Sequence, residues 1–244
     1  MFFSRAKNFR HAGRYFSLAW FLIVAIFRPM DGAKFGRWLI VANGEAKVSN
    51  VGDLSRWMVD RQTVILDGAA LAWEKNSLRP NMLMGDFDSI DPRLLERWGS
   101  SGVTILHCQD QNYTDLEKAI QFTISHGAVD ILILNALGGR MDHTLANIFF
   151  LKKYIRRGRR LVICDGVQYI ECFHNETREL IAPASSYCGF FGMPRATISS
   201  NGLKYEMRNF LVRIGKQESV ANEFRFETAK IAVRGTCLAV YAVA

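Results

Sequence analysis

From Trp38 onward the chain alternates between short, dense apolar runs and longer polar stretches with helical spacing. The runs are "WLIVANG", "TVILDG", "NMLMGD", "GVTILHC" and "DILILNALGG", most of them rich in Val, Ile and Leu without apolar–polar alternation. Continuous apolar runs of this length predict strands covered on both faces, and the segments between them, such as "TDLEKAIQFTISHG", have helical periodicity. The alternation predicts an α/β domain with a doubly wound, mostly parallel sheet. After "KKYIRRGRR" the pattern changes. Short alternating runs, "YIECF", "RATISSNGLKYEM", "NEFRFETAKIAV" and "TCLAVYAV", follow one another with Gly, Asn and Pro turn signals and no helical stretch. These predict an all-β sandwich domain. The expected organisation is an N-terminal extension over residues 1–37, the α/β domain over 38–157 and the β-sandwich over 158–244.

In an open α/β sheet, ligands bind outside the carboxyl ends of the strands, and the acids of this chain gather there. Asp67 ends "TVILDG", Asp86 and Asp88 end "NMLMGDFD", Asp110 and Asp115 follow "GVTILHC", and Asp142 follows "DILILNALGGR". Carboxylates around one cleft repel unless a positive charge lies among them. Mg²⁺ takes oxygen ligands and binds through a few carboxylates plus substrate phosphates. Asn43 and Gly44 of "ANGE", Gly68 of "LDGAA" and Gly138 and Gly139 of "LGGRMDH" mark places where backbone amides can approach phosphate, and Arg140 can fork onto phosphoryl oxygens. His143 reads either as a phosphate donor or as a supporting histidine beside Asp142.

"NYTDLEKAI" has a local explanation as well, since Thr114 followed three residues later by Glu117 is a capping box. That helix start leaves the Asp115 carboxylate free to face the cleft. Lys118, one turn on, reaches a phosphate or pairs with Asp115. Acids and glycines together point to a Mg-nucleotide.

Composition narrows the picture further. With 49% apolar and 22% charged residues the chain is globular. Its formal charge of +8 is concentrated in residues 1–37, which carry Arg5, Lys7, Arg10, Arg14, Arg28, Lys34 and Arg37 against Asp31 alone. The body is close to neutral and gives no electrostatic case for a nucleic-acid partner. Cys108, Cys164, Cys172, Cys188 and Cys237 are scattered, odd in number and without C-x-x-C spacing, which fits a reduced, cytoplasmic setting. The apolar run Tyr15–Phe27 is shorter than the roughly 17 to 25 residues of a spanning helix. Residues 1–37 therefore read as a leader, with Met30 a candidate start and membrane contact disfavoured.

The ordered set "LIVANGE", "LDGAA", "GDFDSI", "DQNYTDLEKAI", "LGGRMDHTLANI", "NGLKYEM" and "ESVANEF" resembles the thiamine pyrophosphokinase (thiamine diphosphokinase) family over about residues 38–244. The resemblance implies transfer of the β,γ-diphosphoryl group of ATP to the hydroxyl of thiamine, with release of AMP. It also implies a homodimer with active sites between subunits. Carried onto this chain, Asp86, Asp88 and Asp115 hold Mg²⁺, Asp67 positions metal or substrate, and any of these acids takes the hydroxyl proton. On the thiamine side Ser219 and Asn222 carry over, with Tyr205 where many members have tryptophan. Ala221 stands where serine is usual, and Ala69 where a second glycine is common. Two other readings keep the same cleft: a pyrophosphokinase for another hydroxymethyl acceptor such as a pterin, and a non-catalytic nucleotide sensor.

Overall fold

The computed structural model describes residues 36–44, 54–75, 77–88, 90–156 and 158–243. The chain divides into two units, Met1–Gly32 and Ala33–Ala244, and all described residues belong to the second. The expected leader and its membrane contact lie outside the described residues, apart from Gly36 and Arg37. No described helix is long and apolar enough to cross a membrane.

The first half of the second unit contains β1 (Arg37–Val41), α1 (Leu54–Met58), β2 (Gln62–Leu66), α2 (Ala70–Lys75), β3 (Met82–Gly85), α3 (Pro92–Ser100), β4 (Thr104–His107), α4 (Asp115–Ser125), β5 (Asp130–Leu134), α5 (Met141–Tyr154) and β6 (Arg160–Cys164). The strands run parallel in the order β6-β5-β1-β2-β3-β4. The apolar runs do not alternate because both faces are covered. Leu39 and Val41 of β1 pack on Trp73, Leu94 and Trp98 from one helical layer. On β1 the neighbouring Trp38 meets Phe122 of α4 edge-on at 6.1 Å. The chain steps outward from β1 to β4 and then returns across the sheet to β5. The carboxyl ends of β1 and β5 are thus the point where the winding reverses, and a crevice opens there.

The second half holds β7 (Gln168–His174), β8 (Thr177–Ile181), β9 (Tyr187–Asn201), β10 (Phe210–Arg213), β11 (Ser219–Glu223) and β12 (Thr228–Ala242), all antiparallel. The runs "NEFRFETAKIAV" and "TCLAVYAV", expected as separate strands, supply the two halves of a single one, β12. Its first half lies between β8 and the end of β9, and its second half between β7 and the start of β9. The pairing slips between Gly235 and Cys237, and Gly235 has φ +93°, a conformation open to glycine without cost. Bent in this way, the strands bring Ile198, Ile231 and Val233 onto Phe173, Phe190 and Ala239 in one core. Strands that pass from one layer to the other are how orthogonal β-sandwiches turn their corners.

The two halves are joined through hydrogen bonds. β6 pairs in parallel with β5 on one side and antiparallel with β7 on the other, so one sheet of 12 strands runs through both. The division expected after residue 157 falls just before β6, which still belongs to the parallel part. At this junction Glu171 is fully buried and accepts hydrogen bonds from Arg160, Arg178 and the Tyr241 hydroxyl.

Candidate active site

Each acid is delivered by the end of a strand. Asp67 follows β2 on a short 3-10 turn, where its Oδ1 accepts from the Gly68 amide at 2.6 Å and its Oδ2 from the Phe87 amide at 3.2 Å. β3 ends at Gly85, and Phe87 then takes φ +61°, which folds Asp88 back so that its amide donates to Asp86 Oδ1 at 3.4 Å. Asp67, Asp86 and Asp88 each offer a carboxylate oxygen within 4.8 Å of the others. Burial raises the Asp67 pKa, and the shared hydrogen bond with Asp86 raises it further. The Asp88 amide, with the same Asp67 contact, lowers that of Asp86. Like charges this close separate their affinities for a proton, and here Asp67 has the higher one. An all-oxygen set of this size fits a hard cation such as Mg²⁺.

The expected metal trio was Asp86, Asp88 and Asp115. In the structure Asp67 completes the tight group, while Asp115 stands at the first position of α4 with Lys118 Nζ 2.8 Å away. Lys118 is buried and also donates to the Cys108 carbonyl at 3.3 Å. Thr114 caps α4 as its spacing predicts, accepting from the Glu117 amide at 3.2 Å. The Glu117 side chain does not complete the box. It turns inward to accept from Tyr154 and Lys153 of α5.

A cleft of about 640 Å³ lies over these groups, along the carboxyl edge of the sheet. Of the expected residues, Asn43, Gly44, Asp67, Asp86, Thr114, Asp115, Lys118, Gly138, Gly139, Arg140 and His143 line it. Gly44 stands against β5: its amide donates to the Asn135 carbonyl at 2.6 Å, and a Cβ there would lie 2.4 Å from that oxygen. Gly68 packs on the Asn43 side chain and lies outside the lining. Asp142 also turns away, since both its oxygens take the Arg140 guanidinium, which holds its carboxyl below the usual range. Asp110 instead accepts from the Asn112 amide at 2.8 Å.

Sequence reading passed over Gln111, Asn112, Tyr113, Asn135 and Asn147, which also line the cleft. Asn135 is buried at φ +54°, and its Oδ1 has no hydrogen-bond partner among the described residues. Asn147 Nδ2 donates to the Ala136 carbonyl at 2.7 Å, tying α5 to the loop that leads into the glycine pair. The signal was present in "LNALGG", where an asparagine directly follows an apolar strand. A second cavity, of about 490 Å³, lies at the junction of the two halves. Its arginines 61, 160 and 178 are already paired with Asp130, Glu171 and Glu176.

Ser219, Asn222 and Tyr205 are not among the lining residues. Asn222 is buried, accepts from the Tyr205 amide at 3.1 Å and donates to the Tyr205 carbonyl at 2.9 Å. It fixes the loop from which the exposed Tyr205 projects. Ala221, in the bulge of β11, has φ +57°.

Fold and cleft together define a class: an α/β protein with clustered carboxylates at the carboxyl edge of a parallel sheet and an antiparallel β part on the same sheet. Residues 55–163 match the family described as "Thiamin pyrophosphokinase, catalytic domain", and residues 175–238 match "Thiamin pyrophosphokinase, vitamin B1 binding domain". The chain is 28% identical to thiamin pyrophosphokinase 1 of Caenorhabditis elegans, over 76% of this chain and 79% of that protein. It is 32% identical to thiamine pyrophosphokinase 2 of Arabidopsis thaliana, over 61% of this chain and 60% of that protein. Among solved structures, thiamine pyrophosphokinase from Bacillus subtilis superposes with a TM-score of 0.75 at 21% identity, over 85% of this chain and 99% of that one. The chain belongs to the thiamin pyrophosphokinase family.

Proposed function

We propose that this chain transfers the β,γ-diphosphoryl group of ATP to the hydroxyl of thiamine, giving thiamine diphosphate and AMP, with Mg²⁺ held by Asp67, Asp86 and Asp88. The observation that carries the reading is the convergence of three carboxylate oxygens within 4.8 Å of one another, two of them from Asp67 and Asp86, which line the cleft, in a chain of this family. Bound by these three carboxylates, the cation would supply neutralisation of the phosphate charge. The chain's own residues supply placement. Lys118, neutralised in part by Asp115, offers ammonium protons to a phosphate from a buried position. Gly138 and Gly139 line the cleft without side chains and let phosphate oxygens approach the backbone, whereas the space beside Gly44 is filled by the Asn135 and Leu137 carbonyls. The acceptor hydroxyl attacks the β-phosphorus, its proton passes to one of the cleft carboxylates, and the bond from that phosphorus to the α-phosphate oxygen breaks to release AMP.

The acceptor side is completed, in this reading, by a second copy of the chain. Tyr187, Tyr205, Val220 and Phe226 are exposed apolar residues of the antiparallel part, Val220 directly following Ser219, while Met141, Leu145 and Phe149 form an exposed row on α5, which lines the cleft through His143 and Asn147. Both surfaces suit burial in a homodimer that carries one subunit's Ser219 and Tyr205 to the other's carboxylates. All five cysteines are free thiols, in keeping with a reducing, cytoplasmic setting. The test is formation of AMP and thiamine diphosphate from ATP, Mg²⁺ and thiamine by the full-length chain, beside an Asp88→Ala control. Equal amounts of both products, absent from the control, support the reading. Mg-ATP binding without AMP overturns it.

A further inference from the structure

We propose that His107 is a positioning residue, whose hydrogen bond to the backbone of Asp86 sets the spacing of the Asp86 and Asp88 carboxylates. The inference rests on the reading above, in which those carboxylates hold a divalent cation. The turn that brings them together is costly. Phe87 at φ +61° lies in the left-handed region, which disfavours a residue with a bulky side chain. Such a conformation persists only where its surroundings hold it.

His107 holds this turn in two ways. Its Nε2 lies 2.9 Å from the Asp86 carbonyl oxygen, and because a carbonyl only accepts, Nε2 carries the proton. Its ring stacks on that of Phe87, with centroids 5.4 Å apart and planes 20° from parallel. The Asp86 carbonyl belongs to the peptide linking Asp86 to Phe87. Holding that plane restrains ψ of Asp86 and φ of Phe87, the torsions through which the chain carries the Asp86 carboxylate and then turns toward Asp88.

The strand pairing shows why this residue does it. β3 and β4 are in register at Gly85 and His107, and the ladder ends with the Cys108 amide donating to the Gly85 carbonyl at 2.8 Å. The next carbonyl along β3, that of Asp86, lies beyond the end of the ladder, and the His107 side chain takes the place of a strand partner. The Cys108 carbonyl in turn accepts from Lys118, which pairs with Asp115. Two consecutive residues at the end of β4 thus hold the metal turn and the lysine.

The test compares full-length wild type with His107→Gln, which keeps a donor at similar reach, His107→Phe, which keeps the ring alone, and His107→Ala. Free Mn²⁺ is followed by electron paramagnetic resonance in the presence of ATP, and the Mg²⁺ and thiamine dependence of AMP formation is measured in parallel. The expected result is about a tenfold weaker Mn²⁺ affinity and a matching rise in the Mg²⁺ requirement for the Phe and Ala variants, with most of both restored by Gln and the thiamine KM unmoved. Because Gln and Phe both fill the space, their comparison stands even if His107→Ala does not fold. Equal Mn²⁺ affinity in all folded variants, or a Gln variant as weak as Phe, overturns the proposal. A wild type that binds Mn²⁺ with ATP and makes no AMP overturns the functional reading alone, while the affinity comparison still decides the role of His107. A wild type that binds no Mn²⁺ overturns both.

Discussion

Asp67 occupies the space that a side chain on Gly85 would need: a Cβ at residue 85 would lie 2.5 Å from the Asp67 carboxyl carbon and from its Oδ2. Strand β3 can run beside the carboxylate only because it ends in glycine. Gly85→Ala is therefore expected to displace Asp67 by a sizeable fraction of an ångström. Small misplacements of reacting groups cost on the order of 10²-fold in rate. Steady-state AMP formation should fall by about that factor, with a circular dichroism spectrum matching wild type.

Asp67→Asn separates stability from activity. The native pKa of Asp67 is raised, so the folded chain binds its proton more tightly than the unfolded chain does. The sign follows: the unfavourable contribution is absent below the ordinary value of 3.8, grows as pH rises toward the native pKa, and is complete above it. Asparagine removes the charge and can donate to Asp86. Melting of metal-free protein at pH 7 is expected at a higher temperature for the variant than for wild type, with the gap narrowing toward pH 4. Mg²⁺ with ATP should raise the wild-type Tm and leave the variant's nearly unchanged, while its turnover falls about 10²-fold or more.

Glu171 is a different kind of carboxylate, fully buried and held by two arginines and a tyrosine. Removing Glu171 leaves Arg160 without its carboxylate and the buried Tyr241 hydroxyl without its acceptor, while Arg178 keeps Glu176, and breaking a buried ionic cluster costs about 3–5 kcal/mol. Glu171→Ala should lower the unfolding free energy by about that amount, read as a lower urea midpoint with unchanged m-value. Glu171→Gln, which keeps the hydrogen-bonding atoms, should lose less.

Ala221 has the opposite prospect. At φ +57° its Cβ is disfavoured where glycine would not be. Ala221→Gly gains in the folded state and loses through a more flexible unfolded chain, and because the native conformation is left-handed the first effect exceeds the second. A stabilisation of about 0.5–1 kcal/mol is expected, read as a rise in Tm.

The fold class was legible because burial on both faces leaves a direct trace: "DILIL" and "RLVIC" carry no alternation, and their strands have both neighbours and both layers. The acids were legible for a related reason, since a charge at the end of such a run must sit at the sheet's edge. Which of them converge was not. Asp142 follows β5 as Asp67 follows β2, yet Arg140 two residues earlier captures it, and local pairing of that kind depends on a loop path that spacing does not encode. Gly85 and His107 were invisible for a further reason. Their roles are contacts across strands, and a sequence records only neighbours along the chain.

The strand β6 carries one last consequence. A strand bonded on its two edges to the two halves of a protein acts as a weld, and a weld leaves no hinge. The parallel and antiparallel parts cannot swing against one another to close over a substrate without breaking backbone hydrogen bonds along β6. Any closing motion must come from the loops at the sheet's edge or from a neighbouring chain. In a calorimeter, residues 33–244 should melt as one body, and neither half should survive as a fragment.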